Sequence, residues 1–457
     1  MAGPIRLVST RGSAPMVDVP TAVLTGLAPD GGLYVPERWP TLSELPPDVD
    51  FAAVAADVLA PFTVDIMSAE ALQRMTTEVF DRFDDAAVAP IVPLDTDLFL
   101  MELFWGPTLA FKDFGMQMLG RLFDEALAAR GGHATIIGAT SGDTGSAAME
   151  AFRDRRHVDV VILFPAGRPT EIQRRQMTTI GSENVHAVAV EGTFDDCQDL
   201  VKAAFADRDL DQRLRFSTAN SINFGRLLTQ FAYYAWACHR IPGDVSFSVP
   251  SGNFGNVYSG YGAAEMGASV DRLIVGSNQN NVLAGFFQSR QLVLGEVVET
   301  LTPSMDIQVP SNLERLLFDL YERDGARLRS AMAELRATSR LEVPGGSALD
   351  RFVSEWYDDG ATRMIMADVY RATGRIVDPH TAIGIGAARS SGVEGPIVSI
   401  GTAHPAKFPQ AVLDATGVEP TLPERLDGIL DRPERVIGIS DDLESLKRLL
   451  IERSRFV

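Results

Sequence analysis

Lys112 interrupts an apolar stretch, "PTLAFKDFGMQ" (107–117), where a hydrophobic strand pattern gives way to a helical one. Leu109, Ala110, Phe111 and Phe114 flank it. An ammonium group at a helix's positive end, among apolar side chains, is disfavoured by the dipole and by desolvation. Its pKa is therefore expected to fall, and a neutral lysine amine attacks aldehydes to form a Schiff base. The ordinary alternative is a lysine that snorkels to the surface or pairs with Asp113 or Glu102.

A second loop bears on that choice. "SGNFGN" (251–256) lies between a strand pattern and a helix pattern. Gly252 and Gly255 let backbone N–H groups turn inward beside a helix N-terminus, which cradles a phosphate without lysine or arginine. The loop is neither a Walker A sequence nor GxGxxG, and no GxGxxG follows any strand, which disfavours a dinucleotide-dependent dehydrogenase. Amine and cradle together call for a cofactor with both aldehyde and phosphate, pyridoxal 5′-phosphate.

Elements must bring those loops together. The strand candidates are "LFLMELF" (98–104), "ATIIGA" (134–139), "VDVVILF" (158–164), "VHAVAV" (185–190), "VSFSV" (245–249), "RLIVGS" (272–277) and "PIVSI" (396–400). Continuous apolar runs separated by amphipathic helices predict an α/β fold with open, mostly parallel sheets covered by helices. "TSGDTG" (140–145), "SGNFGN" and "GTAHPAK" (401–407) each follow a strand's carboxyl end and open a helix. Ligands of such sheets bind at that edge, so one composite site is expected. After Lys112, the apolar stripe of Phe114, Met118 and Leu122 predicts a helix that Gly131 stops.

The 457 residues exceed one core, and the expected division has three parts. These are an N-terminal subdomain over 1–95, a large cofactor domain over 96–130 and 240–457, and a smaller α/β domain over 131–239. Acidic residues outnumber basic ones 61 to 41, for a net charge of −20, which argues against nucleic acid as a partner. No run approaches the roughly 18 apolar residues of a membrane span. Cys197 and Cys238 show no metal-ligand spacing and read as small core residues, so no metal and a reducing, cytoplasmic setting are expected.

On these motifs the chain resembles threonine synthase of the longer bacterial and fungal type. That family has the tryptophan-synthase-β-like fold of pyridoxal-phosphate enzymes, fold type II. The resemblance runs from "STRG" (9–12) to "GTAHPAKF" (401–408), through "NSINFGR" (220–226), "PSMDIQVPSN" (303–312) and "DPHTAIG" (378–384). It implies that Lys112 bonds the cofactor and moves protons. It gives Gly252, Asn253, Phe254, Gly255 and Asn256 to the cofactor phosphate, and Thr402 to the pyridine nitrogen. Thr140, Ser141, Gly142 and Thr144 would receive the substrate carboxylate, with Asp143 near the cofactor's phenolic oxygen. Ser221, Asn223, Arg226 and Lys407 are candidates for the substrate phosphate. Trp105 stands where much of the family has histidine, and a carboxylate at Asp143 should repel a phenolate. His380 reads as a structural histidine at a helix start.

The implied reaction turns O-phospho-L-homoserine and water into L-threonine and phosphate. The rival readings are another lyase of this fold (a threonine or serine dehydratase, or a phospholyase giving 2-oxobutyrate) and a catalytically silent binding homologue. Oligomeric state, monomer or homodimer, is open.

Overall fold

The computed structural model describes residues 3–140, 142–167 and 169–457. Ser141, one of the expected carboxylate donors, lies outside the described residues. Two parallel sheets carry the loops singled out above. The larger has six strands in the order Phe352–Trp356, Val270–Ser277, Val245–Pro250, Ile397–Gly401, Leu98–Glu102, Ile91–Pro93. All its neighbours are parallel except the last pair. The smaller, all parallel, runs Val436–Ile439, Val185–Val190, Val158–Pro165, Ala134–Ala139, Phe216–Ser217. Every residue of Val158–Pro165 is buried, as expected of a strand covered on both faces.

Each of the seven strand candidates falls on an observed strand. Phe216–Ser217, Phe352–Trp356, Ile91–Pro93 and Val436–Ile439 were missed, and all four sit at the edges of these sheets, where patterning is weakest. The last of these differs from the expected division, which kept the chain to 457 in the large domain. Ile439 pairs with Val190, so the chain's end returns to the smaller sheet.

The N-terminal residues form a small antiparallel sheet, with Arg6–Ser9 between Val17–Asp18 and Tyr34–Pro36. They do not have a core of their own. Phe51 stacks edge-on against Phe114 and Trp236, with ring centroids 5.4 and 5.7 Å apart. One apolar cluster extends from Ile5 to Ile400.

The helix that begins at Lys112 spans Lys112–Arg130 and stops at Gly131, φ 62°. A Cβ on Gly115 would lie 2.6 Å from the carbonyl oxygen of Arg226. Only glycine lets this helix meet helix Phe224–Arg240 backbone to backbone, and Lys112 and Arg226 are brought together by that approach.

Candidate active site

Residues 109–111 run antiparallel beside 402–404, through Phe111 N–H to Thr402 O at 2.9 Å and His404 N–H to Leu109 O at 3.0 Å. Lys112 is 8% exposed, and its Nζ stands 3.4 Å from both Asp143 Oδ2 and Ser304 Oγ. It neither reaches the surface nor pairs with Asp113 or Glu102, the two ordinary alternatives. Burial pushes its pKa down, Asp143 opposes this, and the charges of Lys407 and Arg226 add to the lowering.

Asp143 is the hub. Its Oδ1 accepts from Lys407 Nζ at 2.7 Å and from Gln173 Nε2 at 2.8 Å. Burial raises its pKa, but Lys407, Lys112 and these hydrogen bonds outweigh that and hold it well below the usual carboxylate range. Lys407 is fully buried and also donates to Thr108 O at 2.8 Å. Asp113 does not cap its own helix. Its carboxylate turns back to accept from Thr108 N–H and Thr108 Oγ–H, both at 2.8 Å, and burial raises its pKa to about 6.

The glycine loop works differently from the expectation. Neither Gly252 nor Gly255 has a positive φ; Phe254 does, at 62°. Its ring is fully buried, stacked 5.7 Å from Phe287, so only its backbone faces the cradle. Gly252 is required by closeness, since a Cβ there would sit 2.7 Å from Met305 Cα. Asn253 fastens the loop: its Oδ1 accepts from Ser311 N–H at 2.7 Å, its carbonyl accepts from Asn312 Nδ2 at 3.0 Å, and its Nδ2 donates to Ser221 Oγ.

Several proposed donors are occupied. Thr140 Oγ1 accepts from Gly142 N–H and Gly145 N–H at 3.0 and 2.9 Å, shaping its own loop. Asn223 caps helix Phe224–Arg240 and donates to Val23 O and Thr218 O. Thr144 is half-buried in the first turn of helix Asp143–Phe152.

Arg226 stands apart from these. It is 3% exposed, its one hydrogen bond is Nη1 to Ala219 O at 3.4 Å, and its Nε has no partner among the described residues. Burial lowers its pKa to about 10. Thr402 Oγ1 and Asn256 Nδ2 are likewise buried and without partners. Asn256 Oδ1 accepts from Tyr233 and Tyr234 hydroxyls at 2.6 and 2.8 Å, which fixes the amide with its Nδ2 end away from the two tyrosines.

Sequence reasoning missed Gln173, Ser304 and Asn312. Gln173 belongs to a legible capping box with Thr170, and that signal hides its second bond to Asp143. Trp105 donates to Glu102 Oε2 at 3.0 Å and packs edge-on against His404, whose pKa burial lowers to about 4. An imidazole thus stands beside Trp105, supplied by a different segment. His380 binds Asp378 Oδ1 through Nδ1 at 2.8 Å and packs on Phe408. Burial raises the thiols of Cys197 and Cys238 to about 11 and 12, so neither is a nucleophile at neutral pH.

These residues fit pyridoxal phosphate. A buried amine with lowered pKa, a loop whose first glycine admits no Cβ, and an unmatched hydroxyl and amide donor are what its aldehyde, phosphate and ring require. The fold and these donors define a pyridoxal-phosphate-dependent enzyme of fold type II, and the pyridoxal-phosphate-dependent enzyme family matches residues 87–349. The threonine synthase N terminus and the threonine synthase C-terminal family match residues 6–80 and 381–450. Threonine synthase of Pseudomonas aeruginosa is 43% identical, covering 97% of each chain. The crystal structure of PLP-bound threonine synthase from Brucella melitensis superposes with a TM-score of 0.96 at 42% identity, over 99% of this chain and 100% of that one. The structure of the yeast enzyme gives 0.92 at 32%, over 98% of both. The chain belongs to the threonine synthase family. Among the described residues, no helix is long and apolar enough to cross a membrane.

Proposed function

We propose that this chain converts O-phospho-L-homoserine and water to L-threonine and inorganic phosphate, with Lys112 as the proton-moving base and Arg226 as the seat of the substrate phosphate. The observation that carries the substrate is Arg226: a buried guanidinium with no carboxylate partner among the described residues, beside the reactive amine. An unpaired buried cation is unfavourable unless an anion completes it, and a phosphate does so with charge-assisted hydrogen bonds.

Pyridoxal phosphate, when bound, supplies the electron sink that makes the substrate's α- and β-protons acidic. Gly252, Asn253, Phe254, Gly255 and Asn256 would hold its phosphate, and Thr402 Oγ1 would hydrogen-bond its ring nitrogen. Thr144, in the first turn of helix Asp143–Phe152, receives the substrate carboxylate on the helix's positive end, Gly142 N–H being held by Thr140 Oγ1. Lys112 Nζ takes the α-proton, a β-proton follows, and phosphate leaves Cγ with the C–O electrons. Arg226 steadies that leaving anion. Cγ then gains a proton, and water adds its hydroxyl to Cβ while a proton returns to Cα. Ser304 Oγ, 3.4 Å from Nζ, orients the amine. The two free thiols, Cys197 and Cys238, support a cytoplasmic setting.

The test is product analysis of the holoenzyme with O-phospho-L-homoserine. Threonine and phosphate are expected in equal amounts; 2-oxobutyrate without threonine overturns the assignment.

A further inference from the structure

Lys407 was expected on the substrate phosphate. Its Nζ instead lies fully buried, bonded to Asp143 Oδ1 at 2.7 Å and Thr108 O at 2.8 Å. Gln173 Nε2 shares Oδ1, and the other oxygen, Oδ2, faces Lys112 Nζ at 3.4 Å. The carboxylate therefore has one oxygen held from behind and one presented to the reactive amine. Gln173 is itself fixed, because its Oε1 accepts from Thr170 N–H in the capping box.

We propose that Lys407 and Gln173 are positioning residues that hold Asp143 as a permanent carboxylate against Lys112, with Lys407 as its resident counter-cation. The inference rests on the assignment of Lys112 as the cofactor-bonding amine. It also answers why a carboxylate can stand where a phenolate oxygen is expected. Paired with Lys407, Asp143 brings no net charge, so it can orient the nitrogen of Lys112 without repelling an anionic ring oxygen. When the ammonium of Lys112 is consumed, Asp143 keeps a partner, and the site is not left with an uncompensated buried charge. The charged groups facing Lys112 are Asp143, Lys407 and Arg226, on three separate elements.

The test is a pH titration of the bound cofactor's visible absorption in holoenzyme variants. K407M removes a positive charge and raises the transition by about one pH unit or more. D143N removes a negative charge and lowers it. The K407M/D143N double variant removes a neutral pair and returns to within roughly half a unit of the wild type. Q173M, which loses only one hydrogen bond to the same oxygen, gives a smaller rise than K407M and serves if K407M does not fold. Unmoved transitions in K407M and Q173M, or a large rise in KM for the phosphorylated substrate with no spectral shift in K407M, overturn the proposal. Borohydride treatment of the wild type separates the two levels. Failure to fix cofactor onto Lys112 sinks the underlying assignment, whereas normal fixation with unshifted variants sinks only the counter-cation.

Discussion

The two walls of the crevice differ in how far their polar groups are satisfied. On the Asp143 side each oxygen of Asp113 and Asp143 has a partner, and Lys407 is completely enclosed. Elsewhere in the site Arg226 Nε, Asn256 Nδ2 and Thr402 Oγ1 are buried too, yet have no partner among the described residues. A buried donor left unpaired costs about 1–3 kcal/mol, more if charged, so these three donors favour a ligand that supplies acceptors. In this site the closed network positions the amine, and the open donors are left for what binds.

Substitutions on either side test that contrast. The largest effect is expected at the boundary between the walls: K112A should lower kcat on the order of 10⁴-fold and abolish borohydride trapping, measured by steady-state kinetics and peptide mapping. On the open wall, R226M should raise KM for the phosphorylated substrate roughly 100-fold. The same change should leave the ligand-free protein as stable as the wild type or about 1–2 kcal/mol more so, because an uncompensated buried charge is gone. A destabilised R226M in denaturant melts would contradict the open-wall description.

On the closed wall, Asp113 gives a pH signature. Its folded pKa, raised by burial to about 6 from an ordinary value of 3.8, means its contribution is fully present below pH 3.8 and lost as pH rises through 6. The wild type should therefore lose roughly 2–3 kcal/mol relative to D113N between pH 4 and 7, read from paired urea melts. A flat difference would show Asp113 to be ionised throughout. The smallest effect is G252A, which drives a methyl into the backbone at Met305 and should cost about 1–3 kcal/mol, with weaker cofactor retention on dialysis.

Much of this was legible in the sequence, for identifiable reasons. Seven strands announced themselves as uninterrupted apolar runs, and Lys112 stood out because its neighbours were so apolar. Gly131 and the loops after strands followed from local chemistry. What stayed hidden depended on distance in the chain. Nothing near Asn223 distinguishes a helix cap that reaches Val23 from a phosphate ligand, and nothing near Lys407 shows that Asp143, not the substrate phosphate, is the anion it meets. Gln173 and Ser304 become visible only when segments 30 and 192 residues from their partners meet. The N-terminal subdomain was read from composition, which cannot show that Phe51 packs on the Lys112 helix.

The return of the chain's end to the smaller sheet has a consequence for synthesis. Val436–Ile439 covers the outer edge of Val185–Val190, and Arg455 then clamps Asp159 on the neighbouring strand at 2.5 Å. A nascent polypeptide emerging from the ribosome must therefore carry that edge bare for some 240 residues of further translation. Until the final segment docks, the exposed ladder is a place where an unfinished chain can pair with the wrong neighbour.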